Sequence, residues 1–181
     1  WDIAIPSQTG EIHTADLNFQ PTVEGNKITL RAIGLQGEQI IQEYTLTDKP
    51  YEVKYNLSVQ NAAGFLSSTA QDAKLTWVNQ IEKNSVFEKT MSTVYYKENT
   101  ESVDYCNCRS DAQEDLSAQP IKWFSHSNQF FNSTLIANES FTGGVFETKS
   151  PAETDENLKK TSAVVGIPLK RDGTSSQMTM Y

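Results

Sequence analysis

The sequence contains few of the residues from which enzymes usually build a reactive centre. Its 181 residues include only 2 histidines and 2 cysteines, and His13 and His126 lie far apart along the chain. Zinc sites need clusters of His, Cys and carboxylates, and nucleotide sites need a glycine-rich loop that leads into a helix. Neither pattern occurs, and the Gly-X-Ser-X-Gly elbow of hydrolases is missing too. We therefore predict no catalytic, cofactor-binding or metal-ligating residues.

Basic residues are in the minority. The chain has 15 Lys and Arg against 23 Asp and Glu, which gives a formal net charge of −8. Nucleic-acid binding needs a basic patch that displaces counterions from phosphates. Electrostatic adhesion to anionic lipid also needs positively charged residues. The charge therefore argues against nucleic acid as a partner and against electrostatic attraction to lipid headgroups.

Long apolar runs are missing as well. A membrane-spanning helix needs about 20 consecutive apolar residues, and apolar clusters such as Phe130-Phe131 and Ala163-Val164-Val165 are far shorter. The chain begins at Trp1 without an initiator Met or an apolar targeting stretch. We interpret it as a fragment of a longer protein.

The two cysteines, Cys106 and Cys108, are separated by one residue. Two are too few for a disulfide-stapled scaffold, and no second pair completes a zinc site. On an extended strand, residues i and i+2 project from the same face about 6.5–7 Å apart, which is too far for an unstrained disulfide. We predict that the two do not pair and that both titrate as thiols under native conditions.

The dominant pattern in the sequence is an alternation of period two. From Tyr51 to Val59, apolar and aromatic residues alternate with polar ones, as in an antiparallel strand with one buried face. Gln39 to Leu46 alternates in the same way. The intervening Thr47-Asp48-Lys49-Pro50 has turn chemistry, so the two segments are predicted to form a β-hairpin.

Similar short segments recur along the chain and are separated by Gly, Pro, Asn and Asp. This spacing predicts an all-β fold, a sandwich of antiparallel sheets with little helix. Lys97 to Pro120 and Ser150 to Lys160 are predicted as loops, apart from the short strand at 103–107. Ser150 to Lys160 could instead form one short helical turn, but a solvated loop is favoured. The further strand candidates are Glu11–Phe19, Lys27–Ile33, Lys74–Val78, Ser92–Lys97, Val103–Asn107, Gln129–Ala137, Val145–Lys149, Ser162–Leu169 and Gln177–Tyr181.

The aromatic residues allow two interpretations. Trp1, Trp77 and Trp123 could line a sugar-binding platform, but Trp77 and Trp123 lie in apolar strand segments, which favours core packing. We predict that Trp123 and Phe130 are buried against the opposite sheet. His13 alternates with Glu11 and is predicted to lie on the surface. From the residues alone, the chain is an all-β binding or scaffold domain.

The segment from Ile121 to Ala137 resembles the signature of the periplasmic domain of YidC-type membrane protein insertases. In that pattern a Trp is followed about six residues later by Gln, two aromatic residues, a few small residues and an aliphatic strand. Here these places are held by Trp123, Gln129, Phe130, Phe131, Leu135 and Ile136.

Other segments extend the resemblance over most of Leu75 to Tyr181. Leu75-Thr76-Trp77 and Thr93 to Lys97 resemble the paired segments that precede the signature, and Gln177 to Tyr181 resembles the strand before the family's Gly-Pro turn. The region from Trp1 to Gly64 shows only a compatible strand pattern. Phe124-Ser125-His126 departs from the family, which more often carries apolar residues there.

The resemblance implies a single domain over residues 1–181, a large twisted β-sandwich (β-supersandwich) similar to the mutarotase-like superfamily and truncated at both ends. It implies a parent protein that spans the bacterial inner membrane several times and holds this domain at the periplasmic face. The parent would assist insertion and folding of membrane proteins, alone or with the Sec translocon. The expected partners are Sec translocon subunits and nascent membrane proteins, and the expected role is docking rather than catalysis.

Two other functions remain open. A carbohydrate- or ligand-binding β-sandwich module would present exposed aromatic residues in a cleft. A mutarotase-like sugar epimerase would use a His and a carboxylate for proton transfer, and only His13 and His126 are available.

Overall fold

The computed structural model describes residues 1–82, 86–100, 102–107 and 109–181. The chain is 60% strand and 5% helix, which confirms the all-β prediction. Within the described ranges, one short helix, α1 (Val86–Met91), and two single 3-10 turns accompany the strands. The strands are β1 (Asp2–Ser7), β2 (Gly10–His13), β3 (Gln20–Glu24), β4 (Lys27–Ile33), β5 (Gln39–Leu46), β6 (Val53–Gln60), β7 (Asp72–Glu82), β8 (Thr93–Glu98), β9 (Val103–Tyr105), β10 (Ala112–Leu116), β11 (Ile121–Ser127), β12 (Asn132–Phe141), β13 (Gly144–Lys149), β14 (Asn157–Pro168) and β15 (Ser176–Met180).

The strands form two antiparallel sheets that pack face to face. The six-stranded sheet has the order β10-β13-β14-β7-β1-β2, and the nine-stranded sheet has the order β3-β4-β5-β6-β15-β12-β11-β8-β9. Side chains from the facing surfaces form one hydrophobic core between them. This arrangement buries one face of each sheet and leaves the other to solvent, as the period-two alternation requires.

The predicted β5–β6 hairpin is confirmed. The two strands pair from Gln39↔Gln60 to Leu46↔Val53, and the β6 residues Tyr55, Leu57 and Val59 are 0–3% exposed. The strand begins two residues later than predicted. Tyr51 belongs to the turn instead, with a φ of 63°.

The two segments predicted as loops are more ordered than expected. The first contains β10, whose sequence Ala-Gln-Glu-Asp-Leu looks like a loop because it is acidic. β10 is an edge strand, where charged side chains are common because they discourage pairing with other chains. The second segment ends in the first residues of β14, where Lys159 is almost fully buried.

Aromatic rings fill the centre of the core. Phe124 on β11 contacts the rings of Trp77, Phe141 and Phe146 at centroid distances of 5.8–6.1 Å. Phe146 also stacks on Tyr96 at 4.7 Å. Offset and edge-to-face contacts of this kind stabilise a core beyond the area they bury.

The prediction that Trp123 is buried is wrong. The β11 register shifts between Ile121 and Trp123 because of a β-bulge, so Ile121 and Phe124 both point inward although they are three residues apart. A bulge reverses the alternation of the residues that follow it. Trp123 therefore lies on the outer face of the nine-stranded sheet and is only half-buried.

The prediction that Phe130 is buried is also wrong. β11 and β12 pair as far as Ser127↔Asn132, and residues 128–131 form the turn between them. Phe130 lies in this turn, beyond the reach of the opposite sheet, and is 71% exposed.

Candidate docking surface

A conventional reactive centre does not emerge from the part of the chain that the structure describes. Among those residues, no group of three or more His, Cys, Asp or Glu side chains is placed to hold a metal ion. No described helix has the length and apolar character needed to cross a membrane.

His13 lies on the surface, as predicted. Its Nδ1 is 2.6 Å from a carboxylate oxygen of Asp2, and its side chain is 45% exposed. The hydrogen bond with Asp2 raises the pKa of His13. The pair joins the start of β1 to the end of β2, so its role is structural.

His126 lies inside the sandwich and is 1% exposed. Its Nδ1 is 2.8 Å from the Thr161 hydroxyl, while its Nε2 has no hydrogen-bond partner of normal geometry. Burial lowers the pKa of His126 to about 4, a shift that an interaction with the Trp77 backbone only partly offsets. The imidazole is therefore neutral near pH 7 and is out of reach of a substrate in solvent.

Exposed aromatic and aliphatic groups collect on the outer face of the nine-stranded sheet, across β9, β8, β11 and β12. We call this surface the aromatic face. The rings of Tyr95 and Tyr105 lie 5.7 Å apart, and these two tyrosines are 37% and 50% exposed. The aromatic face comprises Tyr95, Val103, Tyr105, Trp123 and Ile136.

The centre of the aromatic face is a shallow depression without a charged residue in its lining. Besides Tyr95, Val103, Trp123 and Ile136, the depression is lined by Ser125, Asn132 and Thr134. The Thr134 hydroxyl donates to that of Ser125 at 2.8 Å. Exposed aromatic and aliphatic side chains interspersed with a few hydroxyl and amide groups are typical of interaction surfaces.

Sequence reasoning did not single out Tyr95 and Tyr105. The signal was available, because in Val94-Tyr95-Tyr96 the middle residue must face away from the core if its neighbours face inward. The structure shows this alternation, with Val94 and Tyr96 buried. Trp123 could not be found in this way, since the bulge that turns it outward leaves no mark in the sequence.

Cys106 is a free thiol that is fully buried. Its Sγ lies 3.4 Å from the carbonyl oxygen of Ala112 and 3.8 Å from the Thr148 hydroxyl. Burial raises the pKa of the Cys106 thiol. The burial of Cys106 argues against the prediction that both cysteines titrate under native conditions. Cys108 lies outside the described residues.

We expect the Cys106 thiol to react slowly with a disulfide reagent in the folded protein. In a Cys108→Ser variant, which has Cys106 as its one thiol, the reaction should be on the order of 100-fold slower than in denaturant, because the thiolate is disfavoured and shielded. Absorbance of the released thiol measures the rate. Complete reaction at the denatured rate would contradict the buried position.

Comparison with known proteins gives a consistent result. The family model of the YidC periplasmic domain matches residues 7–181. A membrane protein insertase YidC from Phocaeicola vulgatus is 30% identical over 77% of this chain and 23% of its own length. The insertase of the same name from Parabacteroides distasonis is 28% identical over 90% of this chain and 26% of its own length. The one from Porphyromonas gingivalis is 23% identical over 99% of this chain and 30% of its own length.

The chain thus spans about a quarter of the length of the curated relatives it matches. Among solved structures, a TPR-domain containing protein from Parabacteroides distasonis aligns with a TM-score of 0.47 and 11% identity, over 91% of this chain and 34% of that one. This likeness is too low to support an argument. The family match covers nearly the whole chain, and the chain belongs to the YidC periplasmic domain family.

Proposed function

We propose that this chain is a single periplasmic domain of an inner-membrane protein insertase and that it acts by contact rather than by catalysis. Transmembrane segments outside the chain would tether it, and its parent would assist insertion and folding of membrane proteins, alone or with the Sec translocon. The observation that carries the proposal is the aromatic face. Its partners would be Sec translocon subunits and emerging membrane proteins.

The composition of the aromatic face suits a docking role. Tyr and Trp contribute strongly to binding because they bury a large area and lose little conformational entropy. The lining of the central depression has no charge, so an apolar partner segment can settle there without desolvating an ion. A rigid sheet supplies the platform, which limits the entropy lost on association.

His126 weighs against a mutarotase-like enzyme. A general base must reach the proton it removes, whereas His126 is 1% exposed and its pKa of about 4 makes it a weak base. His13 is accessible, but it is paired with Asp2 on the opposite sheet from the depression.

A ligand-binding module is a second candidate because of one observation. The partly exposed Trp123 ring lies in a depression together with Ser125, Asn132 and Thr134, and sugars bind by stacking on such rings while donating to nearby hydroxyl and amide groups. Titration with mono- and oligosaccharides, followed by tryptophan fluorescence, would reveal this function. A saturable change that disappears in Trp123→Ala would favour it over the insertase role.

Site-specific photocrosslinking in the full-length protein tests the docking role. A photoreactive phenylalanine at position 95 or 105 should crosslink in cells to Sec translocon subunits or to a nascent membrane protein. Val78 is the matched control, because it is 39% exposed on the outer face of the other sheet. Crosslinks from position 78 and none from positions 95 and 105 would overturn the assignment of the aromatic face.

A further inference from the structure

The turn between β11 and β12 exposes two adjacent phenylalanine rings. Phe130 is 71% exposed and Phe131 is 73% exposed. Single exposed apolar residues are common on protein surfaces, but adjoining ones form a patch that usually has a function. We call residues 128–131 the hairpin tip.

The hairpin tip is held in a defined conformation. The Asn128 side-chain oxygen accepts hydrogen bonds from the backbone N–H groups of Phe130 at 2.9 Å and Phe131 at 2.7 Å. The Asn128 N–H donates to the Phe131 carbonyl oxygen at 2.9 Å. The turn is therefore closed while both rings point into solvent, so little backbone entropy would be lost when the tip binds.

The hairpin that carries the tip has no ionised side chain over an unusually long stretch. No Asp, Glu, Lys or Arg occurs between Lys122 and Glu139, in a chain of which 21% of the residues are charged. A charged side chain near the tip would have to be desolvated on entering an apolar medium, at a large cost in free energy. Insertion of the hairpin tip would therefore not require the desolvation of a charged side chain from this hairpin.

The hairpin tip also extends beyond the start of the neighbouring strand β8. Tyr181 exchanges backbone hydrogen bonds with Thr134 on β12, and from Thr134 the hairpin continues to Phe131. On the other side, β8 begins at Thr93, opposite Ser127. The tip thus extends past the first residue of β8.

Other exposed aromatic residues lie at the same end of the nine-stranded sheet. Met180 pairs with Val53, which places Tyr181 beside the β5–β6 turn, and the Tyr181 hydroxyl donates to Glu52. Tyr51 in that turn is 90% exposed and holds a left-handed φ of 63°, a strained conformation for a residue with a Cβ. Tyr181 is 45% exposed.

Trp1 lies toward this end as well. Asp2 pairs with Thr76, and the Trp1 ring contacts Tyr55 at 5.0 Å and Trp77 at 5.5 Å. Trp1 and Tyr181 therefore lie toward the same end of the sandwich.

We propose that the hairpin tip inserts into the interface of a lipid bilayer, with Phe130 and Phe131 reaching the acyl-chain boundary and Tyr51 and Tyr181 at headgroup level. This inference rests on the proposed function, which puts the domain next to a membrane. A narrow, convex and uncharged tip with aromatic rings suits a deformable interface, where aromatic residues are enriched. A protein partner would instead require a matching cavity.

Vesicle flotation of the 181-residue chain tests the insertion. With phosphatidylcholine vesicles, which lack net charge, the chain should partition measurably, and F130S/F131S should bind at least about tenfold more weakly because two rings no longer leave water. I33S/L35S is the matched control. Ile33 and Leu35 are 57% and 105% exposed and lie where β4 ends, at the end of the nine-stranded sheet away from the hairpin tip. Vesicle binding of this variant should equal that of the unsubstituted chain.

A second measurement locates the tip. In the variant F131W, vesicles brominated on the acyl chains should quench tryptophan fluorescence more than in the unsubstituted chain, whose Trp1, Trp77 and Trp123 serve as the internal reference. Equal quenching in F131W and the unsubstituted chain would overturn the insertion proposal. Equal flotation of F130S/F131S and the unsubstituted chain would do the same. So would crosslinks from a photoreactive group at position 131 to a protein instead of to lipid. Failure of the docking proposal would show separately, as missing crosslinks from positions 95 and 105.

Discussion

Replacing Phe124 by Ala should lower the free energy of unfolding by about 3–5 kcal/mol, the usual cost of removing a buried aromatic side chain. Phe124 is fully buried, and the rings of Trp77, His126, Phe141 and Phe146 surround it at 5.8–6.1 Å. The rigid strands around it cannot collapse into the vacated space, so a cavity remains. Chemical denaturation followed by circular dichroism measures the loss.

Phe130→Ala is the matched control, because it removes the same side chain from the exposed turn. Its effect should stay within about 0.5 kcal/mol, as for most surface substitutions. Comparable losses for the two variants would show that β11 lacks the bulge and that Phe124 and Phe130 have similar surroundings.

The stability of the domain should depend on pH through His126. The folded-state pKa is about 4 and the ordinary value is 6.5, so between these values the unfolded chain takes up a proton that the folded one does not. Stability is then lost as the pH falls from 6.5 toward 4, at roughly 1.4 kcal/mol per pH unit and about 3 kcal/mol in all. Above pH 6.5 this contribution is constant.

His126→Gln isolates the contribution of this histidine. The variant has no imidazole at position 126 but keeps every other ionisable side chain, so the effects of those groups cancel in the difference between the two stability curves. That difference should be flat above pH 6.5 and should change by about 3 kcal/mol on acidification to pH 4. Parallel curves over the whole range would mean that His126 is accessible to protons in the folded state.

Much of the fold could be predicted because the alternation of apolar and polar residues reports which face of a strand is buried. The β5–β6 hairpin is the clearest case, since Tyr55, Leu57 and Val59 are buried as their spacing requires. The alternation no longer predicts the buried face where a β-bulge adds one residue to a strand. The bulge after Ile121 reverses the faces of β11, so the sequence placed Trp123 in the core where Phe124 belongs.

The candidate docking surface was harder to predict. It is assembled from strands distant in sequence, such as β9 and β12, which lie three strands apart in the sheet. A single sequence carries no information on strand order, so it could not bring Tyr105 and Ile136 onto one face. The family resemblance at Ile121 to Ala137 supplied the functional class, whereas the surface required the structure.

The most direct test of the docking role is co-purification of translocon subunits with the full-length protein from solubilised membranes. Tyr95→Ser/Tyr105→Ser should reduce the recovered subunits at least about tenfold, because it removes aromatic anchors that dominate such interfaces. Val78→Ser should leave recovery unchanged, and both variants should unfold at the same temperature as the parent. Undiminished recovery with Tyr95→Ser/Tyr105→Ser would contradict the assignment of the aromatic face as the docking surface.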